Sequence, residues 1–195
     1  MTAAATNLLP GDGQAWLHED AVPAAAAPVL LAGLMSACRL RQEHATIMGR
    51  RIPIPRLTAW HGAASYAYSG IHMEPDPWNP QLLEAKAIAE AVAGRRFDSV
   101  LLNLYRDGRD SVSWHADDEA ALGQNPVIAS LSLGATRRFQ FKHRRDRSSR
   151  INIDLAGGTC LVMAGAIQHH WLHQVPKTRR PVGARLNLTF RTMRV

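Results

Sequence analysis

The sequence predicts an α+β domain built as a double-sheet jelly roll, with N-terminal helices packed on one sheet. Two observations carry this. The helical patterns fall early, over 24–39 and 82–92, and the second is closed by Gly94. Beyond Gly94 the chain breaks into about eight short apolar or alternating runs separated by turn residues, the pattern of a strand-rich region. No segment repeats another.

Taken in order, residues 1–14 read as a flexible tail, and 15–195 as one domain. Ala15-Trp16-Leu17 suits a short strand anchoring its start. From Ala24 to Arg39 the Ala and Leu content favours a helix, with Leu30, Leu34 and Cys38 near helical spacing. His44 to Arg56 holds Pro53 and Pro55, which exclude a helix and a central strand. It reads as an exposed extended segment or hairpin. The residues alone leave open whether it is a plain edge or an arm whose Arg50, Arg51 and Arg56 meet phosphates. Ser65 to Gly70 alternates like a strand, with Tyr66 and Tyr68 on one face: core, sheet surface or a stacking wall for a flat ligand. Asn79 suits a helix N-cap for Leu82 to Val92.

The β region opens with Ser99 to Tyr105, ended by the turn signal Asp107-Gly108. Val127–Leu133 and Arg138–Lys142 follow. Ile151–Leu155 and Thr159–Met163 flank Gly157-Gly158, a hairpin pattern. His170–Val175 and Ala184–Thr192 close the chain.

With 195 residues the chain can bury a sizeable core. Its net charge of +7 and pI near 10.2 favour a polyanionic partner, nucleic acid before membrane. Cys38 and Cys160 form no CxxC motif, so a reducing compartment is the default. There is no signal-peptide pattern, and the apolar run from Val22 to Leu34 contains prolines and is too short to span a bilayer. A soluble cytoplasmic monomer, independent of membranes, is the expectation.

The chemistry begins at Ser113-Trp-His115-Ala-Asp117-Asp-Glu119. On an extended strand His115 and Asp117 share a face and can take adjacent positions on a metal. A second His would complete the 2-His-1-carboxylate triad of non-haem Fe(II) oxygenases. His169, His170 and His173 are the candidates. If that segment is a strand, His169 and His173 share a face. Along Arg185-Leu-Asn-Leu-Thr-Phe-Arg191, Arg185, Asn187, Thr189 and Arg191 share one face and the apolar residues the other. An edge facing water explains this, and a buried dicarboxylate explains it better, because Arg binds carboxylates with paired hydrogen bonds. Arg185 and Arg191 are roughly 20 Å apart along the strand and must lean inward to share one small ligand. Lys142–Arg150 and Lys177–Arg180 are basic tips that can clamp phosphates or simply be solvated.

Taken together, several segments resemble the AlkB-type Fe(II)/2-oxoglutarate-dependent dioxygenases, in particular the eukaryotic nucleic-acid-repair homologues. They are Pro55-Arg56, Tyr66-Ala-Tyr68-Ser-Gly70, Asn103-Leu-Tyr105-x-Asp-Gly108, His115-Ala-Asp117-Asp-Glu119, Ile128–Gly134, Arg138-Phe-x-Phe141 and Arg185–Arg191. The resemblance runs from about His44 to Arg194, and residues 1–41 match none of its motifs. It implies a double-stranded β-helix and oxidative demethylation of N-alkylated DNA bases such as 1-methyladenine and 3-methylcytosine. Fe(II), 2-oxoglutarate and molecular oxygen would be used, and formaldehyde, succinate and carbon dioxide released. RNA or tRNA is the alternative substrate, and an inactive nucleic-acid-binding module the other reading. By resemblance, His115, Asp117 and His173 would bind iron. Arg185, helped by Asn103 and Tyr105, would take the distal carboxylate of 2-oxoglutarate, and Asn187 and Arg191 would sit near the chelating one. The nucleotide-recognition segment would be about 44–70. Tyr66, Tyr68 and Glu119 would line the base pocket, Arg56 and Lys142–Arg150 would hold the DNA backbone, and Met48 would stand where duplex-acting relatives place an aromatic finger.

Overall fold

Four strands carry the candidate site between two facing sheets, and the rest of the chain braces them. In the computed structural model, which describes residues 6–62, 64–68 and 71–194, the chain opens with β1 (Gln14–His18), α1 (Ala27–Ala37) and the hairpin β2 (His44–Ile47) and β3 (Arg50–Pro53). It continues through β4 (Leu57–His61), β5 (Tyr66–Tyr68), β6 (Ile71–Met73) and α2 (Pro80–Ala93). Then come β7 (Ser99–Tyr105), β8 (Val112–His115), β9 (Ile128–Gly134), β10 (Arg137–His143), β11 (Arg150–Leu155) and β12 (Cys160–Ala164). A short helix α3 (Ile167–His170), β13 (Trp171–Val175) and β14 (Arg185–Arg191) finish it.

The large sheet has the order β1-β12-β9-β14-β7-β4 and the small sheet β11-β10-β13-β8. From β7 to β14 the chain crosses from one sheet to the other at every connection except the β10–β11 hairpin, in the manner of a jelly roll, as the sequence predicted. Strand alternation divides the large sheet's residues into two sets. Val100, Leu102, Leu104, Leu131, Leu133, Leu186, Leu188 and Phe190 join Leu30 and Leu34 of α1 and Leu82, Ala85 and Ala89 of α2 in the main core. The opposite face looks toward the small sheet. There Tyr105, Ile128, Phe139, Phe141 and Trp171 form a second core, and the polar residues of β14 line the gap. Asn79 caps α2 by accepting the Leu82 N–H at 2.9 Å, an interaction of about 1 kcal/mol. Gly94 ends the helix in the left-handed conformation at φ 61°. Among the described residues no helix is long and apolar enough to cross a membrane.

Several expectations need correction. The early region holds more strands than the sequence suggested: β1 falls on the strand expected at Ala15-Trp16-Leu17, while β4 and β6 are additional. The stretch from His44 to Arg56 is the hairpin β2–β3, one of the two readings left open, and Tyr66–Tyr68 is the strand that its alternation suggested. The stretch read as tail through residue 14 is folded where described. The Asn7 carboxamide oxygen accepts the Ala15 N–H at 2.8 Å, and Leu9 is buried in the second core. The Gly157-Gly158 turn is no hairpin, because β11 pairs with β10 and β12 with β1 and β9. It carries the chain from one sheet to the other. Gly158, at φ 92°, donates to Ser132 O and accepts from Val22 N. A Cβ there would lie 2.6 Å from the Val22 carbonyl. His169 and His170 belong to a helical turn, so strand alternation does not relate them to His173.

Candidate active site

Register brings the sequence-distant histidines together. β13 pairs antiparallel with β8, and His173 lies directly opposite His115. Their rings meet edge to face with centroids 4.3 Å apart. Asp117 follows just past the end of β8. Its carboxylate lies 4.0 Å from His115 Nε2 and 3.9 Å from His173 Nε2. One ligand atom from each residue falls within 4.8 Å of the others. The His115 Nδ1 faces the Ser113 carbonyl at 2.8 Å, so it carries the proton and leaves the Nε2 lone pair toward Asp117. Phe139 stacks on His173 at 5.4 Å and fixes that ring from behind.

The electrostatics suit a cation. Burial, reinforced by the neighbouring His115, pushes the His173 pKa down to about 3, and burial also lowers that of His115. Burial alone would raise Asp117, but Arg191, the two histidines and Arg56 more than reverse it, and its pKa lies below the usual range. Two neutral imidazoles beside an ionised carboxylate form the donor set a divalent transition metal requires.

The triad opens into a cavity of about 50 Å³ between the sheets, whose wall includes Arg56, Asn103, Tyr105, Ser130, Arg185, Asn187, Thr189 and Arg191. β14 is a central strand, held between β9 and β7, and all four of its polar residues are buried. The water-facing explanation of that face is therefore excluded. Register sets Arg185 opposite Tyr105 and Asn187 between Asn103 and Ser132. One end of the cavity is marked by the Arg191 and Arg56 charges acting on Asp117. At the other end Arg185, 1% exposed, lies with its guanidinium 5.5 Å from the Tyr105 ring. Its Nη2 donates to Ser132 Oγ and to Asn187 Oδ1, each at 2.7 Å. Its Nε and Nη1 are buried without a hydrogen-bond partner among the described residues. Burial lowers this guanidinium's pKa to about 10, still charged at neutral pH. Unfilled donors on a buried cation are costly unless an anion completes them, and a carboxylate fits.

The predicted site residues thus separate. His115, Asp117, His173, Asn103, Tyr105, Arg185, Asn187 and Arg191 converge on one cavity. Asn187 serves as a buttress: it accepts from Ser130 and Arg185 and donates to Thr189 at 2.8 Å. Arg56, expected on the DNA backbone, is instead 6% exposed and donates to Asn103 at 2.7 Å inside the cavity wall. Met48 is 99% exposed at the β2–β3 tip, with φ 49°. Glu119 is half-buried, opens the turn Ala120–Leu122 and does not line the cavity. The side chains of Tyr66 and Tyr68 lie outside the described residues, as do Ser69 and Gly70.

Ser130, Ser132, Phe139 and Gln168 were not anticipated. The two serines alternate with leucines in Ser130-Leu-Ser-Leu133, a pattern that marks a polar inner face; nothing in the sequence flags Gln168. A second grouping, Asp12, His143 and His170, also brings ligand atoms within 4.8 Å. There His143 Nδ1 accepts the Asp146 N–H at 2.9 Å, and its Nε2 lies 3.3 Å from Asp12 without a hydrogen-bond partner among the described residues. With Nδ1 used as an acceptor, Nε2 carries the proton of a neutral imidazole and offers a cation no lone pair.

Comparison with known proteins agrees with this geometry. Residues 14–191 match the model of the 2OG-Fe(II) oxygenase superfamily. The chain is 49% identical over 148 residues to alpha-ketoglutarate-dependent dioxygenase alkB homolog 3 of Bos taurus, covering 71% of this chain and 52% of that one. It is 37% identical over 154 residues to DNA oxidative demethylase ALKBH2 of Mus musculus, covering 74% and 64%. Among solved structures, that described as "The structure of OsALKBH1" superposes with TM-score 0.69 over 97% of this chain and 100% of that one. At 18% identity this likeness bears on the fold alone. The chain spans about half the length of the alkB homolog 3 relatives it matches.

Proposed function

The chain belongs to the 2OG-Fe(II) oxygenase superfamily, and we propose that it is an AlkB-type dioxygenase that oxidatively demethylates N-alkylated bases in DNA, 1-methyladenine and 3-methylcytosine among them. The observation that carries this reading is the single cavity joining the His115–Asp117–His173 triad to the unfilled, buried guanidinium of Arg185. A metal and a dicarboxylate are the two ligands those groups ask for. The names of the relatives, a dioxygenase and a DNA demethylase, support the same chemistry.

His115, Asp117 and His173 would hold Fe(II). Arg185, steadied by Ser132 and Asn187 and flanked by Tyr105, would hold the distal carboxylate of 2-oxoglutarate, and Arg191 would stand near the other end. Iron with 2-oxoglutarate and oxygen supplies the oxidation of the N-methyl group, with succinate and carbon dioxide as co-products. The resulting hydroxymethyl base loses formaldehyde and returns to its normal form. The chain orients the reactants, keeps the two histidines neutral, and walls the cavity with Leu101, Val112, Phe139 and Met163 against bulk water.

The substrate side rests on segment 44–70 and Glu119. Met48 at the exposed hairpin tip is an apolar wedge for the gap beside a flipped base. Glu119 supplies negative charge near a cationic methylated base, and the tyrosines at 66 and 68 a stacking surface. The net charge of +7 favours a nucleic acid, and a monomer in the cytoplasm is the working state.

Matched oligonucleotides carrying 1-methyladenine or 3-methylcytosine, as single- and double-stranded DNA and as RNA, test the substrate. Formaldehyde release fastest on DNA is the expected result. Faster turnover of RNA would transfer the same chemistry to RNA, and no formaldehyde from any lesion would leave only a binding module.

A further inference from the structure

We infer that Gln168 is a positioning residue for the metal-binding carboxylate, acting through the backbone of Asp117. Asp117 lies beyond the last ladder pair of β8, so no strand partner fixes its N–H. Gln168 supplies that partner. Its Oε1 accepts the Asp117 N–H at 3.0 Å, and the residue is fully buried. Its Nε2 is also buried and has no hydrogen-bond partner among the described residues. An amide left half-satisfied in a buried place is costly, and the interaction that remains is the one to Asp117.

Gln168 belongs to α3, which runs directly into β13 and His173. One side-chain bond therefore joins the element that delivers one histidine to the loop that delivers the carboxylate. Arg144 braces the same junction. Its backbone N–H donates to His170 O at 2.7 Å, and its guanidinium reaches Asp118 Oδ2 at 3.0 Å and Gln168 O at 3.4 Å. The Asp117 carboxylate sits about equally far from both Nε2 atoms, 4.0 and 3.9 Å. Rotation of its backbone would spoil both relations together.

The inference rests on the triad being the metal site, and its test separates the two. Co(II) is titrated into the apo protein and followed by its visible absorption, which reports coordination. Gln168→Met removes the acceptor at similar volume, Gln168→Asn draws the amide back by one methylene, and Gln168→Glu retains an acceptor oxygen. Folding of each is checked by circular dichroism, so that either the Met or the Asn variant serves. The expected result is Co(II) affinity about 10- to 100-fold weaker in the Met and Asn variants and close to wild type in the Glu variant. At saturating Fe(II), KM for 2-oxoglutarate stays at its wild-type value, which a general loss of structure would not allow. Wild-type Co(II) affinity in a folded Met or Asn variant, or equal weakening in the Glu variant, overturns the role of Gln168. Unaltered Co(II) binding in His173→Ala overturns the triad itself.

Discussion

Arg185 shows how a single residue can announce a ligand. Two of its donor atoms are buried with no hydrogen-bond partner among the described residues, while Nη2 is doubly engaged by Ser132 and Asn187. A charged hydrogen bond contributes about 1.5–3 kcal/mol. Replacing Arg185 by Met is therefore expected to raise KM for 2-oxoglutarate by about 10- to 100-fold. Co(II) affinity at the triad, at the other end of the cavity, stays unaltered. Steady-state kinetics over a 2-oxoglutarate series measures this, and an unchanged KM would remove Arg185 from the co-substrate site. The residue types here were legible in the sequence because spacing of two on a strand puts like residues on one face. Arg56 was not: its neighbours Pro53 and Pro55 read as an exposed segment, and only the pairing of β4 with β7 brings its guanidinium to Asn103.

Among the elements, the turn joining β7 to β8 matters most, because it fixes the strand bearing Asn103 and Tyr105 relative to the strand bearing His115. Asp110 accepts from Arg106 N, Nε and Nη2 at 2.9, 2.8 and 2.9 Å. Arg137 then donates to the carbonyls of Asp107, Asp110 and Pro176. Burial alone would raise the Asp110 carboxyl, but the Arg106 bonds and charge hold it below the usual carboxylate range. A carboxylate with a depressed folded pKa contributes stability that is present above its unfolded pKa, near 3.9, and is lost as pH falls through the lower folded value. Asp110→Asn is expected to cost about 1–3 kcal/mol near pH 7, with the gap closing below about pH 4. Denaturant unfolding at pH 7 and pH 3 compares the two; an equal gap at both would contradict the assignment. The β10–β11 hairpin makes a separate prediction. Arg144 is engaged by Asp118, whereas Arg145 and Arg147 are exposed beside it. Replacing Arg145 and Arg147 by Gln is expected to lower the salt dependence of oligonucleotide binding by about one logarithmic unit of slope per lost phosphate contact. Binding isotherms from low to high salt would show it, and an unchanged slope would take the hairpin off the nucleic acid.

At the scale of the molecule, the jelly roll was legible because most of its strands are short apolar or alternating runs bounded by turn residues, as in β10 and β14, while β7 and β12 are buried along their whole length. What stayed hidden was pairing. The Gly157-Gly158 turn looks like a hairpin locally, yet the sheets separate there because Gly158 bonds to Ser132 and Val22 of the large-sheet side. Of the early strands, β4 and β6 stayed hidden by their shortness, and the turn around Gln168 by a lack of any periodic pattern. The triad was half legible: residue spacing gave His115 and Asp117, and the opposition of β13 and β8 supplies the physical reason for His173 over His169 and His170. The central claim is that this one cavity couples 2-oxoglutarate decarboxylation to base demethylation. The most direct measurement is formaldehyde and succinate together, from DNA carrying 1-methyladenine, with wild type and His173→Ala. Equimolar products from the wild type and neither from the variant are the expected result. Equal formaldehyde from both proteins would contradict the account.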